Sequence, residues 1–179
     1  VSLKGLGRAI LNTLTGKTQG GSTLTMQLAR NLFLSREKTI SRKLAEIDMA
    51  QAIERKYSKQ EILLLYLNTM YFGRGAYGIW TAAQEYFGKP PERLSLVESA
   101  MIVGLLQAPS AYDPSKHPEK SLARRNEVLH NLVETGRLSS VEYERLKRMP
   151  LGLVLRDNRQ RQVSEYIRRE AADILASMG

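Results

Sequence analysis

The sequence predicts an all-α, mainly helical protein, on three observations. Apolar residues recur at helical spacing, as at Leu24, Leu28 and Leu32. Two Ser-x-x-Glu capping boxes stand directly before apolar runs and indicate helix starts. Alternation of polar and apolar residues is weak throughout, and residues 151–155 would make at most one short strand.

Three helices are predicted in the N-terminal third of the chain. The first covers about 2–14, and the Gly-containing segment 15–21 follows it as a flexible connection. Ser22 or Thr23 begins the second helix. The third helix covers about 39–56 and ends before the first capping box.

The central part of the chain combines two capped helices with a Gly- and Tyr-rich loop. Ser58 caps a helix that carries an apolar run, and the loop 71–78 follows it. A short helix over 79–87 is stopped by glycine and two prolines. The helix over about 95–106 is apolar on nearly all sides, so we expect it in the middle of a helical bundle.

The C-terminal part begins with an irregular connection at 108–118, which contains three prolines. Further helices are predicted over about 119–135, 140–149 and 165–178. The composition turns polar and basic beyond residue 150. We therefore predict a domain over 1–150, followed by a linker and helix over 151–179.

Composition narrows the functional classes. Lys and Arg number 27 against 18 Asp and Glu, and the resulting net charge of +9 favours an anionic partner. The absence of cysteine excludes a disulfide scaffold, a Cys-based zinc site and a thiol nucleophile. The apolar run 100–106 is far shorter than the ~20 residues of a membrane span. With Val1 in first position and no signal peptide, we expect a piece of a longer protein whose anchor lies elsewhere.

A charged triad on the third predicted helix is the first candidate for chemistry. Arg42, Lys43 and Glu46 share an arc of roughly 100° whose continuation is apolar. One interpretation is an i,i+4 ion pair worth a few tenths of a kcal/mol. The other is a carboxylate kept ionised by two cations, which makes Glu46 a weak base but a good partner for orienting cations toward pyrophosphate.

Three further segments carry polar residues in recognisable patterns. Residues 20–27 read Gly-Gly-Ser-Thr-Leu-Thr-Met-Gln, which fits an anion cradle at a helix start or, more simply, a loop and an N-cap. Residues 59–68 read as a buried helix with a capped start. Arg124, at the start of 124–129, either braces another element or belongs to a solvated basic face.

The order and spacing of these four motifs resemble the peptidoglycan glycosyltransferases (glycosyltransferase family 51) of class A penicillin-binding proteins and monofunctional transglycosylases. The resemblance runs from residue 1 to about 150. It implies a lysozyme-like glycosyltransferase fold that lacks its N-terminal segment. It also implies polymerisation of lipid II into β-1,4-linked glycan with inversion and release of undecaprenyl pyrophosphate.

The resemblance also implies roles for single residues. Glu46 matches the family's second glutamate, which assists at the pyrophosphate and is sometimes discussed with a divalent cation, Mg or Mn; no cofactor is otherwise required. The positions matching the substrate cleft are Gly21, Ser22, Thr23, Gln27, Arg30, Asn31, Arg42 and Lys43. The structural motif positions are Lys59, Tyr66, Asn68 and Arg124. Met26 and Arg30 replace the family's frequent Gln and Lys.

The resemblance places the base glutamate of the family, in a Glu-Asp-x-x-Phe motif, upstream of Val1. The chain has no acidic residue before Glu37, so we expect it to bind lipid II without turnover. The implied setting is the outer face of the bacterial cytoplasmic membrane. Implied partners are lipid II, the growing glycan, the membrane surface, a C-terminal transpeptidase domain and cell-wall synthesis proteins.

Three other functions remain open from the residues alone. A basic helical nucleic-acid-binding domain would fit the charge, but the basic residues are spread over most helices and no helix-turn-helix pattern stands out, so we expect no nucleic-acid partner. A glycan-cleaving enzyme needs a protonated carboxylic acid in an apolar pocket, which Glu46 between cations does not provide. A catalytically silent cell-wall scaffold is the third.

Overall fold

The computed structural model describes residues 23–33 and 40–154. In these residues the regular structure is helical, with one isolated bridge between Tyr71 and Tyr77. The seven α-helices are α1 (Leu24–Phe33), α2 (Ile40–Lys56), α3 (Lys59–Thr69), α4 (Ile79–Phe87), α5 (Leu96–Leu105), α6 (Pro118–Glu134) and α7 (Ser140–Leu146). The predicted all-α class is confirmed. The elements predicted before residue 23 and over 165–178 lie outside the described residues.

Helix α5 forms the centre of the fold, as its apolar sequence predicts. All residues from Ser99 to Leu105 are buried, and α6 packs along them. The close approach needs Gly104, because a Cβ atom added there would lie 3.0 Å from Cγ of Arg124 on α6. Burial of this apolar surface is the main favourable contribution to folding.

Both predicted capping boxes are present. Ser58 Oγ accepts a hydrogen bond from the backbone N–H of Glu61 at 3.3 Å, and the Glu61 carboxylate accepts from the Ser58 N–H at 2.8 Å. Ser95 and Glu98 make the same reciprocal pair at the start of α5. Each box satisfies two helix-terminal donors locally, which is why the sequence alone located these two starts.

The loop between α3 and α4 is held by its own backbone. The Phe72 N–H donates to the Ala76 carbonyl at 2.8 Å, and the Gly78 N–H donates to the Met70 carbonyl at 2.9 Å. Arg74 has a positive φ of 51° and forms an ion pair with Glu85 of α4 at 2.9 Å. The loop therefore fixes how the end of α3 sits against α4.

We expect Gly78→Ala to destabilise the protein more than Gly75→Ala does. Both glycines have positive φ, 83° and 75°. Gly78 also has ψ 152°, a region that is essentially limited to glycine, and a Cβ there would lie 2.7 Å from the Asn68 carbonyl oxygen. A Cβ at Gly75 would meet nothing within 4 Å.

Strain of this kind costs about 1–3 kcal/mol, and the contact with the α3 backbone adds to it at Gly78 only. Urea unfolding of the two variants measures the difference. Equal losses of unfolding free energy would contradict the contact argument and leave backbone strain as the cause at both positions.

The last described helix ends earlier than predicted. Helix α7 ends at Leu146, not near 149, and residues 151–154 form no strand. Instead the Val154 N–H donates to the Tyr86 carbonyl at 2.9 Å. The carbonyls of residues 147, 149 and 150, which follow the helix, accept hydrogen bonds from Arg125.

Candidate active site

Helix α2 places a carboxylate between two cations, as the spacing of the charged triad predicts. Arg42 Nη1 lies 2.5 Å from Glu46 Oε1, and Lys43 Nζ lies 2.9 Å from Glu46 Oε2. Only 1% of the Glu46 side chain is exposed, whereas 46% of Lys43 is exposed. The carboxylate is therefore enclosed by its partners, while the lysine ammonium remains accessible from outside.

The electrostatics of Glu46 follow from these contacts. Burial alone would raise the pKa of Glu46, but the hydrogen bond from Lys43 and the charges of Lys43, Arg42 and Arg30 together lower the pKa below its ordinary value. Glu46 is ionised at neutral pH and is a weak proton acceptor. The i,i+4 ion pair between Arg42 and Glu46 is present, and its carboxylate is buried.

Helix α1 lies next to the charged triad of α2. It packs against both α2 and α3, and Arg30 lies close enough to Glu46 to act on it electrostatically. Thr23 Oγ1 accepts a hydrogen bond from the Met26 N–H at 3.1 Å, so Thr23 caps this helix. The predicted cradle residues Gly21 and Ser22 lie outside the described residues.

Helix α3 supports the polar side chains of α1. The Tyr66 hydroxyl donates to Gln27 Oε1 at 3.1 Å, and Asn31 Nδ2 donates to the Thr69 carbonyl at 3.2 Å. Tyr66 is 1% exposed and belongs to the main core. Helix α3 thus contacts two predicted substrate-binding positions on α1: the predicted structural residue Tyr66 binds Gln27, and the Thr69 carbonyl binds Asn31.

The other residues of the structural motifs lie elsewhere. Lys59 is exposed at the first position of α3, and Asn68 is exposed near its end. Arg124 is on α6, where it donates to Glu127 at 2.7 Å and lies over the Tyr112 ring at 5.9 Å. Arg124 therefore braces α6, as one of the two sequence interpretations proposed, and is not a solvated basic residue.

Two arginines that matter structurally were missed by the sequence analysis. Arg125, next to the motif residue Arg124, is 1% exposed and binds three backbone carbonyls. Arg74 pairs with the buried Glu85 and donates to the Ser115 hydroxyl at 2.7 Å. The signal available for Arg74 was a long cationic side chain between two loop glycines, whereas no local pattern pointed to Arg125.

The described residues do not form a divalent-cation site around Glu46. Mg²⁺ and Mn²⁺ favour several oxygen ligands, but both Glu46 oxygens already accept hydrogen bonds from cationic side chains. Within the described ranges no group of three His, Cys, Asp or Glu residues is placed to hold a metal ion. We therefore derive no step through a metal, and the expectation of Mg or Mn stays a prediction.

Comparison with known proteins identifies the family of this chain. The model of the family described as Transglycosylase matches residues 1–133. The chain belongs to the transglycosylase family. Penicillin-binding protein 1A of Aquifex aeolicus is 49% identical over 144 residues, which cover 80% of this chain and 20% of that protein. Penicillin-binding protein 1B of Haemophilus influenzae is 39% identical over 181 residues, covering 98% of this chain and 23% of that protein.

A solved structure of similar fold supports the architecture. The crystal structure of penicillin-binding protein 1A from Haemophilus influenzae matches with a TM-score of 0.55 and 27% identity, over 95% of this chain and 20% of that chain. This chain thus spans about a fifth of the length of these relatives. Among the helices within 23–33 and 40–154, none is both long and apolar enough to span a bilayer.

Proposed function

We propose that the protein is a peptidoglycan glycosyltransferase that polymerises lipid II and releases undecaprenyl pyrophosphate. The observation that carries the proposal is the cation pair of Arg42 and Lys43, held by an ionised Glu46 within the electrostatic reach of Arg30. Such a group stabilises negative charge as it develops on a leaving pyrophosphate. Membership of the transglycosylase family supports the same reaction class.

The reaction assigns a distinct task to each charge. The 4-hydroxyl oxygen of the acceptor sugar attacks the anomeric carbon of the growing chain, and the bond from that carbon to the pyrophosphate oxygen breaks with inversion. The cations take up the charge of the leaving group. Glu46 holds them in place because its own charge is fixed by the same contacts.

The proton of the attacking hydroxyl needs a different acceptor. A general base works best with a pKa near the operating pH, and the pKa of Glu46 is lowered, not raised. We therefore place the base outside the described residues. The same argument disfavours glycan cleavage, which needs a protonated acid beside the glycosidic oxygen.

The proposed setting is the outer face of the bacterial cytoplasmic membrane, where lipid II and the growing glycan would be the ligands. A transpeptidase domain and cell-wall synthesis proteins are proposed partners, since the relatives are named as penicillin-binding proteins. The net charge of +9 suits both an anionic membrane surface and a pyrophosphate lipid.

A titration with lipid II in detergent micelles tests the proposal, with duplex DNA as the comparator. We expect saturable lipid II binding and weak DNA binding, because the cations are gathered around one carboxylate on α2 and not along a groove-sized surface. Tighter binding to DNA, with the steep salt dependence of counterion release, would overturn it. Polymer formation by this chain alone would overturn the expectation that it binds lipid II without turnover.

A further inference from the structure

Two amide side chains on α1 contact α3, one through its carbonyl oxygen and the other through its amino group. Gln27 uses its carbonyl oxygen, which accepts from the Tyr66 hydroxyl at 3.1 Å. Asn31, one turn further along, uses its amino group, which donates to the Thr69 carbonyl at 3.2 Å. An amide offers one acceptor and one donor group, so each contact leaves the other group of that side chain for a ligand.

The remaining groups have opposite hydrogen-bonding character. In the described part of the chain, Gln27 Nε2 and Asn31 Oδ1 make no hydrogen bond. Gln27 therefore presents a donor, and Asn31, which is exposed, presents an acceptor. A carbonyl only accepts, so the Thr69 contact keeps the amino group of Asn31 on α3 and leaves its oxygen for a ligand. The Tyr66 hydroxyl holds the Gln27 side chain in place.

The supports themselves are rigid. Tyr66 is 1% exposed within the core, and burial raises the pKa of Tyr66 to about 12, so its hydroxyl keeps the proton that it donates. The Thr69 carbonyl belongs to the last turn of α3, where the Thr69 hydroxyl donates to the Leu65 carbonyl at 2.8 Å and the Met70 N–H donates to the Tyr66 carbonyl at 3.0 Å.

We propose that α3 orients the two amides of α1 for ligand binding, with Tyr66 as a positioning residue that holds Gln27, and with Asn31 as an acceptor that reads a hydroxyl or amide N–H of the sugar. The proposal rests on the proposed function for the nature of the ligand. An ionised phosphate offers acceptors only, so it matches Gln27 but not Asn31. A sugar with hydroxyl and acetamido groups matches both.

Two ligands separate these roles: lipid II and undecaprenyl pyrophosphate, which carries no sugar. We expect Asn31→Ala to raise the Kd for lipid II about 3- to 10-fold, the value of one neutral hydrogen bond, and to leave the Kd for undecaprenyl pyrophosphate within twofold. An equal loss for both ligands, or no loss for lipid II, would overturn the role of Asn31.

A double-mutant cycle tests the positioning role of Tyr66. Tyr66→Phe should raise the Kd for lipid II several-fold, and the double variant with Gln27→Ala should bind no worse than Gln27→Ala alone, because the hydroxyl acts through Gln27. Tyr86→Phe is the matched control, since its buried hydroxyl donates to the Phe72 carbonyl at 2.9 Å, a partner in the loop after α3. It should lower stability and leave both Kd values unchanged.

The outcomes distinguish this proposal from the proposed function. Additive effects of Tyr66→Phe and Gln27→Ala would mean that Tyr66 acts only through stability, and the positioning role would be overturned while lipid II binding stood. Failure of the unmodified chain to bind lipid II would overturn the proposed function first, and this inference with it.

Discussion

Lys43→Ala is expected to raise the Kd for lipid II about 10- to 100-fold. A charge-assisted hydrogen bond contributes about 1.5–3 kcal/mol, and each 1.4 kcal/mol is a factor of ten in affinity. Lys43 is the accessible member of the cluster, with 46% of its side chain exposed and its ammonium 2.9 Å from Glu46. Its removal also raises the pKa of Glu46, because Lys43 supplies both a hydrogen bond and a charge that lower it.

Lys120→Ala provides the matched control, since Lys120 is an exposed lysine on α6. It removes the same formal charge and should change the Kd less than twofold. Isothermal titration at two ionic strengths measures both variants, and the wild-type affinity should fall as salt screens the cluster. Equal effects of the two substitutions would mean that net charge, not the α2 cluster, attracts the lipid.

Arg125→Ala is expected to lower the free energy of unfolding by about 3 kcal/mol or more. The guanidinium of Arg125 is buried, and it makes five hydrogen bonds: two to Asn126 Oδ1 and one each to the carbonyls of Lys147, Met149 and Pro150. Truncation leaves these acceptors without their donor and opens a cavity between α6 and the segment after α7.

Arg125→Met separates the two contributions. Methionine keeps much of the aliphatic packing but supplies no donor, so the difference between the Met and Ala variants reports packing and the remaining loss reports hydrogen bonding. Arg124→Ala is the neighbouring control and should lose less than Arg125→Ala, because its ion pair is with Glu127, a residue whose side chain is 61% exposed. Urea unfolding with constant m-values measures all three. A similar loss for Arg124→Ala and Arg125→Ala would contradict the anchoring role.

The helix starts were predictable because their determinants are local. Ser58 and Ser95 each cap their helix through a glutamate three residues later, so the whole device lies in four consecutive residues. The anchoring of the segment after α7 was not predictable in this way. Arg125 binds the Lys147 carbonyl across 22 positions of sequence, and no local pattern indicates such a partner.

The candidate site also combines features that local sequence predicts with features that depend on packing between helices. Arg42, Lys43 and Glu46 were found from sequence because an α-helix brings positions three and four apart onto one face. That Glu46 would be buried and not merely paired depended on the packing of α2 against α1 and α3. The family resemblance supplied the substrate class, and the match of the Transglycosylase model over residues 1–133 confirmed the family.

The sequence by itself determined the helical class, the capped helix starts, the central position of α5 and the charged triad, since each depends on periodicity or on contacts within one turn of helix. Only the tertiary structure decided that Tyr66 holds Gln27, 39 positions away, and that Arg125 binds the segment after α7. Those contacts join residues that are distant along the chain, and the folded packing of several helices alone fixes which donor meets which acceptor.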